Sequence, residues 1–145
     1  MLSAGLSAQT ALRFNQLAAE QIRRGEAIRA LEYLNLAIRK EPSNPESFYL
    51  RGYAKYTLDD YMGAELDYSR SIDLSPYLAD VFTSRAIVRS QMENYQGAME
   101  DFGRAAEMDP GNGEILYHRA RTNLSQKKFY SAIVDCNRAI ELKFR

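Results

Sequence analysis

The 145-residue sequence carries 19 Lys and Arg against 19 Asp and Glu, so its formal net charge at pH 7 is zero. General nucleic-acid binders and anionic-membrane binders normally show a basic excess, and the balance argues against both classes. A single cysteine, Cys136, excludes an internal disulfide framework. The sequence also lacks an apolar run near the ~18 residues of a membrane span.

Residues 1–10, MLSAGLSAQT, are small, uncharged and weakly apolar. One interpretation is the end of a secretory signal peptide, with small residues near a cleavage point after Ala8, in a trimmed form of an exported protein. The charged segment of a signal peptide and most of its apolar segment are missing from this stretch. The alternatives are therefore an ordinary chain terminus or a backward extension of the first helix. The compartment, cytoplasmic or exported, stays undetermined.

From Ala11 onward the sequence repeats with a period of 34 residues, in copies 11–44, 45–78, 79–112 and 113–145. Small residues recur at three registers, a large apolar residue at a fourth and proline at a fifth. In order, these registers hold Ala18, Gly52, Ala86 and Ala120; Ala30, Ala64, Ala98 and Ala132; Ala37, Ser71, Ala105 and Ala139; Phe14, Phe48, Phe82 and Leu116; and Pro42, Pro76 and Pro110. A fixed period of this length indicates stacked supersecondary units.

Each copy shows two stretches of helical periodicity on either side of a short turn. Pro76 ends a helix because proline cannot continue one, and Asn44 with Pro45 forms a helix start. The pattern predicts helices over 11–24, 27–40, 45–58, 61–74, 79–92, 95–108, 113–126 and 129–143.

The spacing of these registers resembles the tetratricopeptide repeat (TPR) family, in all but the first ten or so residues. In the second copy the resemblance is carried by Phe48, Gly52, Ala64, Tyr68, Ser71 and Pro76. The resemblance implies an all-α fold, a right-handed α-solenoid of antiparallel helix pairs with about eight helices. It also implies a non-enzymatic scaffold that binds a protein or peptide partner in a concave groove.

In the family the first helix of each pair lines the groove, so the resemblance implies groove contacts at matching registers. These are Asn15, Tyr49, Tyr53, Tyr56, Thr83, Ile87, Tyr117, His118 and Arg121. In the competing interpretation the tyrosines pack against neighbouring first helices. The lysines of the carboxylate-clamp subclass are absent and Asp80 would repel a carboxylate, which disfavours binding of chaperone tails.

Two alternative functions stay open on the sequence alone. One is a structural or oligomerisation spacer, and the other is the docking arm of a longer protein. Copy four leaves Ile133, Cys136 and Ile140 at registers that a following first helix would cover. The sequence therefore predicts either that the chain is cut from a longer protein or that it self-associates through this surface.

Two registers change together between the copies. Copy one has Leu17 and Tyr33 where the other copies have Arg and Asp. Pairing inside each copy leaves every charge matched, so the sequence predicts the structural ion pairs Arg51–Asp67, Arg85–Asp101 and Arg119–Asp135.

The sequence offers no catalytic constellation. The single histidine, His118, and Cys136 fall on different predicted helices, and the glycines form no phosphate loop. We therefore expect no catalytic residues, no metal site and no cofactor.

Overall fold

The computed structural model describes residues 2–143, and for Leu2 the backbone alone. Over these residues the chain forms eight α-helices and no strand, which confirms the predicted all-α class. The helices are α1 (Leu2–Arg23), α2 (Ala27–Lys40), α3 (Pro45–Thr57), α4 (Tyr61–Leu74), α5 (Ala79–Gln91), α6 (Tyr95–Met108), α7 (Gly113–Ser125) and α8 (Phe129–Lys143).

The predicted bounds agree with the structure to within one residue, except at the start of α1. That helix begins at Leu2, so the predicted start near residue 11 was wrong, and the alternative of a backward extension of the first helix is confirmed. Residues 2–10 lack the repeat pattern, yet they contain no proline, and backbone hydrogen bonding continues through them. Thr10 adds a local bond, because its hydroxyl donates to the carbonyl of Leu6 over 2.8 Å.

Side chains cap the starts of several helices. Asn44 accepts from the backbone N–H of Glu46 over 3.0 Å. Asp60 and Asn94, which share one register, accept from the backbone of Gly63 and Gly97 over 2.9 and 3.1 Å. Each cap satisfies an N–H that has no partner inside its helix, and this fixes where the helix begins.

The turn inside each helix pair uses one left-handed residue at a constant register. The residues are Gly25, Asp59, Glu93 and Lys127, with φ of 78°, 60°, 61° and 58°. Copy one places glycine there, the residue that adopts this conformation most easily.

By contacts the chain divides into two compact units, Met1–Pro76 and Tyr77–Arg145. In the first unit α1 packs on α2, α3 packs on α4, and α3 also contacts α1 and α2. Its inner core consists of Ala18, Ala30, Leu34 and Ala54, with Ile22, Leu31, Tyr33 and Leu50 packed around them. In the second unit α5 packs on α6, α7 packs on α8, and α7 contacts α5 and α6.

Small residues at the repeat registers allow helices to approach closely. A Cβ added to Gly52 would lie 2.7 Å from Cε1 of Tyr68 and 3.2 Å from the carbonyl oxygen of Ala64. Real carbon atoms do not approach so closely, so this crossing of α3 and α4 needs glycine. Among the described residues, none of the helices is long and apolar enough to cross a bilayer.

Candidate interaction surfaces on the first helices

The tyrosines of α3 form one candidate surface, in the first unit. Tyr53 is 40% exposed, and its ring lies 6.3 Å from that of the half-buried Tyr56. Tyr49 is also half-buried, with its ring 5.9 Å from that of the fully buried Tyr68. Of the three predicted tyrosines, Tyr53 therefore offers the most surface, whereas Tyr49 and Tyr56 are partly engaged in packing.

A fourth tyrosine continues this aromatic group and was missed by the sequence reasoning. The ring of Tyr61, at the start of α4, lies 5.9 Å from that of Tyr56. Its hydroxyl donates to Asp59 over 2.9 Å, and this bond to the neighbouring carboxylate raises the pKa of Tyr61. The register of Tyr61 belongs to a second helix, and the family's groove registers therefore did not include it.

The structure corrects the prediction that Asn15 contacts a ligand in the groove, because it buries this residue. Only 2% of the residue is exposed, and its side-chain oxygen accepts a hydrogen bond of 2.9 Å from the hydroxyl of Ser47. Its amide nitrogen has no hydrogen-bond partner among the described residues. Asn15 thus joins α1 to α3 inside the first unit and presents no surface to a ligand.

In the second unit the candidate surface centres on α7. Tyr117 is 51% exposed, and the guanidinium of the exposed Arg121 lies 5.9 Å from the centre of its ring. An arginine at this distance from an aromatic face is attracted by the ring's electrons. The pair therefore presents an aromatic ring and a cation side by side.

His118 is half-buried beside Tyr117, and the two rings make an edge contact at 5.3 Å. Its Nε2 lies 3.8 Å from a carboxylate oxygen of Glu114. Burial lowers the pKa of His118; Glu114 opposes this shift, and the charge of Arg121 adds to it. The structure thus favours the neutral imidazole.

Thr83 and Ile87 of α5 are half-buried. The hydroxyl of Thr83 donates to the carbonyl of Ala79 within the same helix over 2.9 Å. These two residues offer less surface than Tyr117 and Arg121.

The Arg and Asp residues of copies two to four lie together inside each copy. Nε and Nη2 of Arg51 lie 2.8 and 2.7 Å from the two carboxylate oxygens of Asp67. The distances are 2.9 and 2.8 Å for Arg85–Asp101. They are 2.9 and 2.6 Å for Arg119–Asp135. All three aspartates are buried, and each pair has the two-bonded geometry that suits a guanidinium and a carboxylate.

Each aspartate has a further donor that the sequence reasoning missed. Lys55 lies 2.8 Å from Asp67, Arg89 lies 3.1 Å from Asp101, and the amide of Asn123 lies 3.2 Å from Asp135. The signal was present, because each donor follows the arginine of its copy by four residues, one helical turn. Copy one has Gln21 at this register, and its buried side-chain oxygen has no hydrogen-bond partner among the described residues.

Little in the described part of the chain resembles a reactive site. No group of three or more His, Cys, Asp and Glu among these residues is arranged to hold a metal ion. Cys136 is a half-buried free thiol on α8. An open cavity of about 470 Å³ in the second unit is lined by Tyr95, Gln96, Met99, Glu100, Gln126 and Lys128, which hold no pairing of a nucleophile with a base.

Residues 83–143 match the family model described as the tetratricopeptide repeat. The same helix-pair architecture and the same 34-residue period run through the preceding copies. The match to the tetratricopeptide-repeat family covers this second part of the chain.

Solved TPR structures share the fold. The crystal structure of MamA has a TM-score of 0.84 at 19% identity and covers 92% of this chain and 78% of its own. The first TPR domain of Spaghetti (RPAP3), solved with the HSP90 peptide SRMEEVD, has a TM-score of 0.80 at 20% identity, with coverage of 83% and 95%. The Arabidopsis OM64 TPR domain has a TM-score of 0.79 at 17% identity, with coverage of 82% and 98%.

At these identities the structural likeness shows the fold alone, an all-α helical-repeat solenoid. No curated protein matches the sequence. The TPR fold is typically a non-enzymatic protein-interaction module.

Proposed function

We propose that this TPR chain is a non-enzymatic scaffold that binds a protein or peptide partner through the exposed faces of its first helices. The observation that carries the proposal is the half-exposed Tyr53, supported from one side by Tyr56. The RPAP3 domain of the same fold was solved with a bound peptide, which supports a peptide-sized ligand.

The tyrosines of α3 suit recognition for a physical reason. Tyrosine offers a large apolar area and a polar tip while losing little conformational entropy on binding. The contacts of Tyr53 with Tyr56, and of Tyr56 with Tyr61, hold these rings before a partner arrives. A surface ordered in advance loses less entropy on association. In this proposal Tyr53 is the main contact, and Tyr49 and Tyr56 contribute their exposed edges.

The α7 surface adds a different chemistry. Tyr117 and Arg121 together accept an aromatic or acidic side chain of the partner, since the guanidinium is exposed and carries a fixed charge. His118 contributes a neutral hydrogen-bonding group, and Thr83 and Ile87 contribute at their exposed edges. Asn15 has no direct role, because it is buried.

The proposal gives the Arg–Asp pairs a structural role and divides the chain at the repeat registers. The buried aspartates connect the first and second helix of a copy, so we expect their loss to weaken the packing of the two helices and to affect ligand binding only through that packing.

The repeats are residues 11–44, 45–78, 79–112 and 113–145, and residues 1–10 are an N-terminal extension in front of them.

The proposal is tested by affinity capture from an extract of the source organism, read by mass spectrometry. The bait is the wild-type chain beside Tyr53→Ala, with Tyr77→Ala as the matched control, because Tyr77 is 83% exposed but lies outside the helices. We expect a protein that wild type and Tyr77→Ala capture and Tyr53→Ala loses. Identical captures by all three chains, or none, would favour a spacer or docking arm instead.

A further inference from the structure

The turn between α3 and α4 brings three tyrosine rings and a carboxylate together in the first unit. The ring centres of Tyr53 and Tyr56 lie 6.3 Å apart, and those of Tyr56 and Tyr61 lie 5.9 Å apart. The ring planes are tilted by 45° and 43°, so neighbouring rings do not cover one another face to face. The hydroxyl of Tyr61 donates to Oδ1 of Asp59 over 2.9 Å. These four residues are called the α3–α4 cluster below.

Elsewhere the chain places its own cations over aromatic rings. The guanidinium of Arg51 lies 5.5 Å from the ring centre of Phe48, and that of Arg121 lies 5.9 Å from the ring centre of Tyr117. A cation in such a position is attracted by the electrons of the ring face. In the part of the chain that the structure describes, no cation lies over a ring of the α3–α4 cluster. Its rings are therefore available to a cation from another molecule.

The charge beside these rings is negative. Asp59 and Asp60 are both exposed, and neither forms an ion pair with a described residue. The cations on the same helix are held elsewhere, because Arg51 and Lys55 lie 2.7 and 2.8 Å from the carboxylate oxygens of the buried Asp67. One oxygen of Asp59 accepts the tyrosine hydroxyl, whereas its Oδ2 accepts no hydrogen bond within residues 2–143. The cluster thus combines open ring faces with a free carboxylate oxygen.

The combination occurs in the second copy alone. Its four registers hold Ala19, Ile22, Gly25 and Ala27 in copy one, Ile87, Ser90, Glu93 and Tyr95 in copy three, and Arg121, Leu124, Lys127 and Phe129 in copy four. Copy three keeps an acid and one tyrosine, and copy four has cations at two of the registers. The other copies form the same helix pair without the cluster. Packing of the repeat therefore does not require it.

We propose that the α3–α4 cluster binds an arginine side chain of the partner, with the guanidinium against the tyrosine rings and hydrogen-bonded to Oδ2 of Asp59. A guanidinium is planar and weakly hydrated, so it lies against an aromatic face with little loss of hydration. Its several donors allow a charge-assisted bond to a carboxylate at the same time. The assignment rests on the proposed function, in which Tyr53 is the main contact, and adds the chemistry of the partner's residue.

Titration of the full chain with short peptides tests the proposal by NMR of the backbone amides. The probes are acetyl-glycyl-arginyl-glycine amide and its citrulline counterpart, whose urea group has the shape of the guanidinium without the charge. We expect the arginine peptide to shift the signals of residues 53–61 saturably, with a dissociation constant on the order of millimolar. The citrulline peptide should bind at least about tenfold more weakly. The lysine counterpart should bind at least about threefold more weakly, because an ammonium is more strongly hydrated.

Two variants with the same loss of charge test the role of the carboxylate. Asp59→Asn keeps the fold, because asparagine also adopts the left-handed conformation found here, with φ of 60°. The matched control is Glu93→Gln, at the same register of the next copy, where φ is 61°. We expect Asp59→Asn to weaken binding of the arginine peptide at least about fivefold, and Glu93→Gln to stay within about twofold of wild type. Circular dichroism verifies that both variants are folded.

Several results would overturn the arginine site. They are an arginine peptide that shifts no signal of residues 53–61, a citrulline peptide that binds equally well, and an Asp59→Asn chain that binds like wild type. Equal binding of the lysine peptide would overturn the preference for arginine. The titration uses no captured partner, so the two proposals fail separately. A protein captured by wild type and lost by Tyr53→Ala would still support the scaffold if the arginine peptide did not bind.

Discussion

The guanidinium of Arg119 and the carboxylate of Asp135 form two parallel hydrogen bonds, from Nε over 2.9 Å and from Nη2 over 2.6 Å. Asp135 is buried, and Arg119 is mostly covered. The bond to Asp135 raises the pKa of Arg119, so the guanidinium stays charged throughout the accessible pH range. Such a pair adds little net stability to the fold, because the attraction between the charges only offsets the cost of removing both from water. Removing one partner alone is strongly destabilising, because the other charge is left covered and unpaired.

A double-mutant cycle on this pair gives the first prediction. We expect Asp135→Leu alone to lower the free energy of unfolding by about 3–5 kcal/mol, because Arg119 is left covered without its carboxylate. Adding Arg119→Leu should recover part of that loss, since copy one has the apolar residues Leu17 and Tyr33 at these registers. Urea denaturation of the single variants and the double variant provides the measurement. Strict additivity would show that the two side chains are not coupled.

Two glycine substitutions form a matched pair. Gly52→Ala should destabilise by about 1–3 kcal/mol, because the new Cβ would lie 2.7 Å from the ring of Tyr68. Gly103→Ala, inside α6, meets nothing within 4 Å and should stabilise by about 0.5–1 kcal/mol. Thermal denaturation of both variants tests this, and equal effects would contradict the close approach of α3 and α4.

Most of the fold could be predicted because the repeat supplies four copies of the same information. Small residues, prolines and capping residues recur at fixed registers, and the bounds of α2 to α8 agree with the structure to within one residue. The repeat could not supply the start of α1, because residues 2–10 carry no repeat, and the sequence left a backward extension of the first helix as one of three alternatives.

The candidate surfaces were harder to predict than the fold. A register specifies which side of a helix a residue occupies, but not how far its neighbours cover it. Asn15 lies at a groove register, yet Ser47 of α3 reaches it and both are buried. Tyr53 and Tyr117, at comparable registers, stay exposed.

Acid should weaken the fold through His118. Its pKa in the folded chain lies below the unfolded value of about 6.5, mainly because of burial. The unfolded chain therefore binds more protons near this pH, and stability is present above about pH 6.5 and declines as the pH falls through it. His118→Gln removes the effect, since the chain has one histidine. Denaturation at several pH values tests this; a wild type that gained stability relative to the variant on acidification would contradict the assignment.

The start of α8 offers a stabilising substitution. Lys128 occupies the register at which Asp60 and Asn94 cap α4 and α6, but an ammonium group has no acceptor atom. Lys128→Asn should raise the free energy of unfolding by about 0.5–2 kcal/mol. Lys127→Gln, one residue earlier, provides the control for loss of charge. If both substitutions had the same effect, the gain would reflect charge and not capping.

The central claim is that the first-helix faces bind a partner, and its most direct measurement is the affinity of the captured protein for three chains. Isothermal titration would compare wild type, Tyr53→Ala and Tyr77→Ala. The proposal predicts a dissociation constant at least about tenfold higher for Tyr53→Ala, and within about twofold of wild type for Tyr77→Ala. Equal affinities of wild type and Tyr53→Ala would contradict it.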